Sequence, residues 1–231
     1  MPPTDPAKHH AARLAADLVQ PGMIVGLGSG STAALLIERL GERVSQEGIE
    51  FLGVPTSQAT ADLARSVGLS LVDLDEVESL DLDLDGADEV DPQFRMVKGR
   101  GGALLREKIV ATASTRRVFI VGEEKRVDRL GTRFPVPVEV SPFGLSHTDR
   151  AIQTLGATTR IRLGADAKPY STDGQNRILD CSFLAPIDDP EGLDIQLRRI
   201  AGVFETGFFL GLCNALIVGG PDRAILIEAP R

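Results

Sequence analysis

The first half of the chain alternates short apolar runs with amphipathic stretches, the pattern of strands and helices in turn. Helices are predicted after the Asp5 N-cap, from Ala33, after the Ser57 N-cap and from about Ala103. Strands are predicted at residues 23–27, 50–54, 69–74, 80–85 and 118–121. This strict alternation predicts an α/β fold with a parallel sheet covered by helices on both faces.

The alternation stops near the segment Phe134-Pro135-Val136-Pro137, where two prolines flank a short strand. Strands near residues 138–140, 158–163, 178–183 and 203–208 and helices near 145–155 and 193–200 then predict a smaller α+β module. The runs at 215–218 and 224–227 are uniformly apolar, as in a strand covered on both faces, and are assigned to the first sheet. The expected domains are 1–136 plus 215–231, and 137–214.

Composition limits the function classes. Of 231 residues 42% are hydrophobic and 25% charged, the net charge is −8, and the basic residues are scattered, so no nucleic-acid partner is expected. The longest apolar-looking stretch, 207–220, is too short to span a bilayer, and charged residues interrupt residues 8–17, so neither a membrane span nor a signal peptide is expected. Cys181 and Cys213 lack metal or redox spacing and are expected to be inert thiols of a reduced, cytoplasmic protein.

The first candidate for chemistry is the turn Gly28-Ser29-Gly30-Ser31-Thr32 between a strand and a helix. Backbone N–H groups and hydroxyls at a helix N-terminus form an anion site, although a plain capped turn is the alternative. With Ala33 the turn fits a dinucleotide pattern, but the next strand ends Val54-Pro55-Thr56, without the acid that such sites place on a ribose. The turn therefore predicts a site for a single phosphate.

The second candidate is Asp85-Gly86-Ala87-Asp88, at the carboxyl end of a predicted strand, where ligands bind in open α/β sheets. Two carboxylates around a glycine turn can bind sugar hydroxyls, and an Asx turn is the alternative. Asp81 and Asp83, which alternate with leucines, are interpreted as the polar face of the strand.

The third candidate is the run from Lys98 through Gly99, Arg100 and Gly101 into a helix that carries Glu107. Leu105, Ile109 and Ala113 are predicted to form one face of that helix, with Glu107 nearly opposite. A solvent-facing glutamate is the usual alternative, but no basic residue lies three or four positions later to pair with it. Lys125 and Lys8 can add positive charge to the same site or be ordinary surface lysines.

Together these segments supply a phosphate cradle, carboxylates and a lysine, and the sequence contains no metal-ligand set and no nucleophile triad. This inventory suits metal-free proton transfer on a small phosphorylated polyol.

The three motifs, in this order and spacing, resemble ribose-5-phosphate isomerase, type A. The resemblance extends over the whole chain and includes the passage Phe134-Pro135-Val136-Pro137 and the late strand at Gly202-Val203. It implies a Rossmann-like domain with a smaller α+β domain. It also implies an aldose–ketose isomerase that interconverts D-ribose 5-phosphate and D-ribulose 5-phosphate in the non-oxidative pentose phosphate pathway. Such enzymes use no metal or organic cofactor and form homodimers or homotetramers.

The resemblance also implies residue roles. Glu107 is the expected base, Asp85 and Asp88 bind sugar hydroxyls and assist ring opening, and Lys98 stabilises the enediolate. The expected substrate-binding positions combine the phosphate side with the two loops: Lys8, Ser29, Gly30, Ser31, Thr32, Asp85, Gly86, Ala87, Asp88, Lys98, Gly99, Arg100, Gly101 and Lys125.

Two residues depart from the commonest family pattern: Ser29 stands where threonine is frequent, and Arg100 stands in a run that is often all glycine. A glucosamine-phosphate deaminase remains an alternative, although it would need a histidine near the motifs. A non-catalytic sugar-phosphate-binding domain is the other alternative, and it would not need both Glu107 and Lys98.

Overall fold

The computed structural model describes residues 5–230, so residues 1–4 and 231 of the expected first domain lie outside the described residues. By its internal packing the chain divides into two units. The first unit comprises the residues up to Ala87, Arg106–Lys125 and the residues from Leu212 onward, and the second comprises Asp88–Leu105 and Arg126–Gly211.

The helices are α1 Pro6–Ala16, α2 Ser31–Glu47, α3 Gln58–Ser66, α4 Leu104–Thr112, α5 Leu145–Gln153 and α6 Pro190–Arg198. The strands are β1 Ile24–Leu27, β2 Leu52–Pro55, β3 Leu80–Gly86, β4 Glu89–Val90, β5 Met96–Val97, β6 Ser114–Gly122, β7 Val136–Val140, β8 Ala157–Ile161, β9 Arg177–Phe183, β10 Val203–Thr206, β11 Phe208–Phe209, β12 Ala215–Gly219 and β13 Ala224–Glu228. Among residues 5–230, no helix combines the length and apolar character needed to cross a bilayer.

The first unit is built on a six-stranded sheet in the order β13-β12-β6-β3-β1-β2. The five strands from β12 to β2 are parallel, and β13 runs antiparallel to β12 at the edge, so the expected α/β fold with a parallel sheet is confirmed. The return of residues 215–227 to this sheet is also confirmed. The expectation that both of these strands are covered is wrong for β13, because an edge strand leaves Ile225 and Leu226 45% and 37% exposed.

Small residues on α1 let this helix pack closely on α2 and on the sheet. Ala11, Ala12, Ala15 and Ala16 share a core with apolar residues of α2, β1, β3 and β6. The Asp5 carboxylate accepts the Ala7 N–H at 3.1 Å, and the Ser57 hydroxyl accepts the Thr60 N–H at 3.1 Å. The two N-caps predicted from the sequence are therefore present.

The predicted strand at residues 69–74 does not form. Leu71 makes a single bridge to Gly53, and the chain then turns into a 3₁₀ helix at Leu74–Glu76. Asp73 caps that helix, with its side chain accepting the Asp75 N–H while the Glu76 carboxylate accepts the Asp73 N–H. These local hydrogen bonds compete with pairing to β2 and end the strand after one residue.

The second unit contains an antiparallel sheet in the order β10-β7-β9-β8 and a small sheet in the order β11-β5-β4. Its core includes Val136, Val138 and Val140 of β7, with Ile152 of α5 and Leu197 of α6. The predicted strand at 203–208 is divided between the two sheets, at Gly207. A Cβ atom on Gly207 would lie 2.5 Å from the Lys98 carbonyl oxygen, so glycine allows the chain to pass there.

The packing units differ from the expected domains at three places, one of which is residues 212–214, which belong to the first unit. Residues 88–105 and 126–136 belong to the second unit, because β5 pairs with both β4 and β11, and Val127 donates its N–H to the Val90 carbonyl at 2.9 Å. The division into folding domains stays a prediction.

Candidate active site

The parallel strands of the first unit bring three predicted segments to one edge of its sheet. Leu27 of β1 lies beside Leu84 of β3, and Asp85 of β3 lies beside Phe119 of β6. The glycine turn follows β1, Asp85 lies at the end of β3, and Lys125 follows β6 in a 3₁₀ helix. Because the carboxyl ends of parallel strands share an edge, this is where an open α/β sheet binds ligands.

The Asp85 carboxylate stabilises the glycine turn by accepting a backbone hydrogen bond from it. Its Oδ1 accepts the Ser29 N–H at 3.1 Å and the Gly86 N–H at 2.7 Å, and the residue is 1% exposed. The N–H of Gly28 donates to the Leu84 carbonyl at 3.0 Å. A charge-assisted contact of this kind fixes the turn and the carboxylate together.

A hydroxyl cluster fixes the other side of the turn. The Ser29 Oγ atom lies 2.8 Å from the Thr56 Oγ1, 2.9 Å from the Ser57 Oγ and 3.1 Å from the Thr60 Oγ1. Thr60 also donates to the Gly28 carbonyl at 3.0 Å. Sequence reasoning identified Ser57 only as a cap and missed the roles of Thr56 and Thr60, for which the run of hydroxyl residues after β2 was the available signal.

The remaining turn residues face outward at the start of α2. Gly30 is the N-cap with a φ of 96°, and no side chain among residues 5–230 caps this helix end. Ser31 is exposed and Thr32 is half-buried. The Lys8 Nζ atom, on α1, lies 3.5 Å from the Ser31 Oγ. The structure therefore brings the predicted Lys8 to the predicted anion site.

Glu107 is buried, with 3% of its surface exposed. Val110, one turn later, is packed close to Gly26, where an added Cβ would meet its Cγ1 at 2.6 Å, and Leu80 donates its N–H to the Ala113 carbonyl at 3.0 Å. The C-terminal end of α4 thus lies at the start of β3, so the helix runs opposite to the strands. Glu107 consequently lies toward the carboxyl edge, where Asp85 is.

The predicted apolar face of α4 is wrong. Ile109 is 45% exposed, whereas Leu104, Glu107 and Lys108 are buried. Because charged residues of α4 are buried, the spacing of its apolar residues does not identify the face of the helix that packs on the sheet. Glu107 is therefore not the solvent-facing glutamate that a helical wheel leaves as the usual alternative.

The interpretation of Asp83 as part of a polar outer face is also wrong, although Asp81 is exposed as expected. Asp83 is 1% exposed and lies beside Gly26, where an added Cβ would meet its Oδ1 at 2.6 Å. Both faces of a central parallel strand are covered, so alternation of Asp and Leu does not imply a solvated side here.

The other predicted residues lie in the second unit, on the turn and loop that flank β4 and β5. Asp88 donates its N–H to the Val97 carbonyl at 2.9 Å, and its Oδ2 accepts the Arg100 N–H at 2.9 Å. Asp88 is half-buried, and Lys98 is 3% exposed. The structure thus places Asp88 beside the Lys98–Gly101 loop.

Strand β11 and the neighbouring loops fix this segment. The Lys98 N–H donates to the Gly207 carbonyl at 2.8 Å, and its Nζ lies 5.1 Å from the centre of the Phe209 ring. Gly99 has a φ of 97°, which favours glycine. The Arg100 guanidinium lies over the Phe134 ring at 4.6 Å, while Arg100 and Gly101 are exposed.

Within the first unit the glycine turn, Asp85 and Lys125 lie at or just after the carboxyl ends of strands, with Lys8 at the turn and Glu107 on α4 toward the same edge. Within the second unit Asp88 lies beside the loop of Lys98, Gly99, Arg100 and Gly101. Gly86 and Ala87, both half-buried, are the last residues before the chain passes from the first unit to the second. Among residues 5–230, no three histidine, cysteine or carboxylate residues are grouped so that they could hold a metal ion.

Glu89 is a residue that sequence reasoning missed. It is fully buried, and its carboxylate accepts the N–H groups of Gly131, Arg133 and Phe134 at 2.5 to 2.8 Å. It thereby fixes the loop that presents Phe134 to Arg100. The neighbouring sequence does not indicate this role of Glu89, because its hydrogen-bond partners lie more than forty positions away.

Comparison with known proteins agrees with this arrangement. The family profile for ribose 5-phosphate isomerase A (phosphoriboisomerase A) matches residues 52–223. Ribose-5-phosphate isomerase A of Synechococcus sp. is 47% identical over 96% of both chains, and that of Chloroflexus aurantiacus is 49% identical over 95% of this chain and 92% of its own.

Solved structures give the same result. Ribose 5-phosphate isomerase A from Methanocaldococcus jannaschii superposes with a TM-score of 0.91 at 38% identity, over 96% of this chain and 98% of its own. A D-ribose-5-phosphate isomerase solved in complex with phospho-erythronic acid superposes with a TM-score of 0.92 at 37% identity, over 96% and 97% of the two chains. On sequence and on fold, this chain belongs to the ribose 5-phosphate isomerase A family, a family of isomerases.

Proposed function

We propose that this protein interconverts D-ribose 5-phosphate and D-ribulose 5-phosphate. The observation that carries the proposal is the buried Glu107 carboxylate, on a helix that directs it toward the sheet edge where Asp85 and the Gly30–Thr32 turn lie. A carboxylate for proton transfer and an anion site at the same edge are the two groups that a phosphorylated aldose needs.

The reaction moves one hydrogen from C2 to C1. Glu107 removes the C2 proton, the C–H electrons form a C1=C2 double bond, and the carbonyl at C1 becomes an enediolate oxygen. Glu107 then returns the proton to C1 while the oxygen at C2 becomes the carbonyl and its hydroxyl proton passes to the oxygen on C1. Lys98 stabilises the negative charge of the enediolate.

The remaining residues bind the sugar and its phosphate. Asp85 and Asp88 accept hydrogen bonds from hydroxyls and assist opening of the furanose ring. The phosphate is bound by Gly30, Ser31 and Thr32 at the start of α2 together with Lys125 and Lys8, and Ser29 contributes by shaping the turn. Backbone groups of Gly86, Ala87, Gly99, Arg100 and Gly101 line the substrate.

Two further observations support this assignment. Phospho-erythronic acid, the ligand of the related isomerase, is a phosphorylated polyol acid, whose carboxylate resembles the charge of an enediolate. The distance between Lys8 Nζ and Ser31 Oγ, 3.5 Å, places a cation beside the turn that would hold the phosphate. We also propose a cytoplasmic homodimer or homotetramer acting in the pentose phosphate pathway, without metal or organic cofactor.

The deciding experiment is an assay of ketose formation from ribose 5-phosphate by the purified protein in excess EDTA. We expect turnover, with exchange of the C2 hydrogen for solvent deuterium. Ammonia release from glucosamine 6-phosphate would instead indicate the deaminase, and saturable binding of ribose 5-phosphate without turnover would indicate a binding domain. Activity that chelation abolishes and one divalent ion restores would contradict the metal-free mechanism.

A further inference from the structure

The loop that carries Lys98 is braced from outside the predicted motifs by Arg162, which follows β8. The Arg162 Nη1 donates to the Gly99 carbonyl at 2.7 Å and to the Arg100 carbonyl at 2.9 Å. Its Nε donates to the Asp180 carboxylate at 3.1 Å, and its Nη2 forms an ion pair with the same group. One guanidinium thus joins a strand of the second unit to two consecutive carbonyls of the loop.

The peptide group between Gly99 and Arg100 is held at both of its ends. Its carbonyl accepts from Arg162, and its N–H donates to the Asp88 Oδ2 at 2.9 Å. Because a peptide group is planar, fixing the carbonyl fixes the direction of the N–H. A cation on the carbonyl also polarises the group and strengthens its N–H as a donor.

One further hydrogen bond restrains this peptide, because the Gly99 carbonyl also accepts the Gly102 N–H at 3.0 Å. Gly99 and Gly102 have positive φ and are buried, whereas Arg100 and Gly101 between them are exposed. Tyr170, which donates its N–H to the Arg162 carbonyl at 2.9 Å, packs against Gly102, where an added Cβ would lie 2.6 Å from its hydroxyl. Arg162 and Tyr170 therefore support the loop from the same hairpin.

Arginine is the suitable residue for this position. The side chain of Arg162 is 14% exposed and that of Asp180 is 21% exposed, so the ion pair is shielded and oriented. The planar guanidinium can donate to a carboxylate with two nitrogens and still present Nη1 to the carbonyls, which a lysine ammonium cannot do in one geometry.

We infer that Arg162, anchored by Asp180, is a positioning residue that sets the Gly99–Arg100 peptide plane and through it the orientation of the Asp88 carboxylate. The inference rests on the proposed function for its effect on turnover, since Asp88 is proposed to bind the sugar. It does not rest on that function for its effect on the loop, and the two effects are measured separately.

The test compares Arg162→Gln with Arg198→Gln in the full chain. Arg198 is the matched control, because it forms ion pairs with Asp194 and Glu205 in the same unit and contacts other elements than this loop. We expect hydrogen exchange of the Arg100 amide to rise at least tenfold in Arg162→Gln and to stay within twofold in Arg198→Gln. Unchanged exchange in Arg162→Gln would overturn the inference, whether or not the protein isomerises ribose 5-phosphate.

Turnover gives the second measurement. Loss of a charge-assisted hydrogen bond predicts a fall in kcat/KM of about 10- to 100-fold for Arg162→Gln. The double variant Arg162→Gln/Asp88→Ala should lose much less kcat/KM than the product of the two single losses. For Arg198→Gln and Asp88→Ala, in contrast, the loss of kcat/KM in the double variant should equal that product within about twofold. Multiplicative kcat/KM losses for Arg162→Gln and Asp88→Ala would show that the two residues act independently and would overturn the inference.

A charge-conserving variant covers the case in which Arg162→Gln does not fold. Arg162→Lys keeps the ion pair with Asp180 but cannot reach both carbonyls, so we expect near-native unfolding with faster exchange at Arg100. Wild-type exchange and wild-type kcat/KM in Arg162→Lys would overturn the inference. If the wild-type protein fails to turn over ribose 5-phosphate while the exchange result holds, the proposed function fails and the positioning role stands.

Discussion

Gly28 and Asp85 approach each other so closely that a Cβ atom on Gly28 would lie 2.1 Å from the Asp85 Oδ1. The same carboxylate oxygen accepts the N–H of Ser29. The glycine is therefore required by a neighbour on an adjacent strand, and its φ is not positive. The turn proposed to bind the phosphate and the carboxylate proposed to bind the sugar are parts of one packed arrangement.

Gly28→Ala should displace the Asp85 carboxylate, and overpacking of this kind costs about 1–3 kcal/mol of unfolding free energy. Urea unfolding checks the stability, and kcat/KM for ribose 5-phosphate checks the displaced group. Gly86→Ala is the matched control for stability, because its Cβ would meet the nearest atom at 3.8 Å. A Gly28→Ala protein with wild-type stability and activity would show that the turn adjusts freely.

Glu107→Gln should lower kcat by at least about two decades, because the amide cannot accept the C2 proton and general-base catalysis contributes about 10²–10⁴-fold. Exchange of the C2 hydrogen with deuterium should be lost in parallel, while binding of the sugar phosphate stays within a few-fold. Glu139→Gln, at another buried glutamate that is 2% exposed, controls for the loss of a buried charge. If Glu107→Gln keeps a tenth of wild-type kcat, Asp85 or Asp88 is the next candidate for the base.

Lys125→Ala should raise KM for ribose 5-phosphate about 10- to 100-fold, since a charge-assisted contact to the phosphate contributes roughly 1.5–3 kcal/mol. Steady-state kinetics measures this change where chemistry limits turnover, because only then does KM follow affinity. Lys168→Ala removes an exposed lysine of the second unit and should leave KM unchanged. Unchanged kinetics for Lys125→Ala would place this lysine outside the phosphate site.

The two cysteines should make the fold less stable in alkali. Burial raises the pKa of the Cys213 thiol from 9.0 to about 12, and burial also raises the pKa of the Cys181 thiol. Between pH 9 and 12 the unfolded chain loses thiol protons that the folded chain keeps, so the unfolding free energy falls as pH rises. Urea unfolding from pH 7 to 10.5 should show this decline, and Cys213→Ser should reduce its slope. Rapid alkylation of both thiols in the native protein at pH 8 would contradict the raised pKa values.

Much of this protein follows from local sequence. The caps at Asp5 and Ser57, helices α1 to α4, strands β1, β2, β3 and β6 and the return of residues 215–227 were predicted and are present. These features depend on neighbours in the chain: a capping side chain bonds an amide two or three residues away, and apolar periodicity reports the element that carries it. The glycine turn and the carboxylates were found in the same way, because their chemistry lies in contiguous motifs.

The tertiary structure decided which charged groups are buried and which loops are held in place. Asp83 and Glu107 are buried because β3 lies inside the sheet and α4 covers it. The order of strands in a sheet cannot be predicted from a local sequence pattern. The strand predicted at 69–74 does not form, because the chain turns there into a capped 3₁₀ helix. Arg162 lies about sixty residues from the carbonyls it holds, and Glu89 more than forty from its amides. Such contacts form only when distant strands pair, so local sequence determined the motifs and the folded chain determined what orients them.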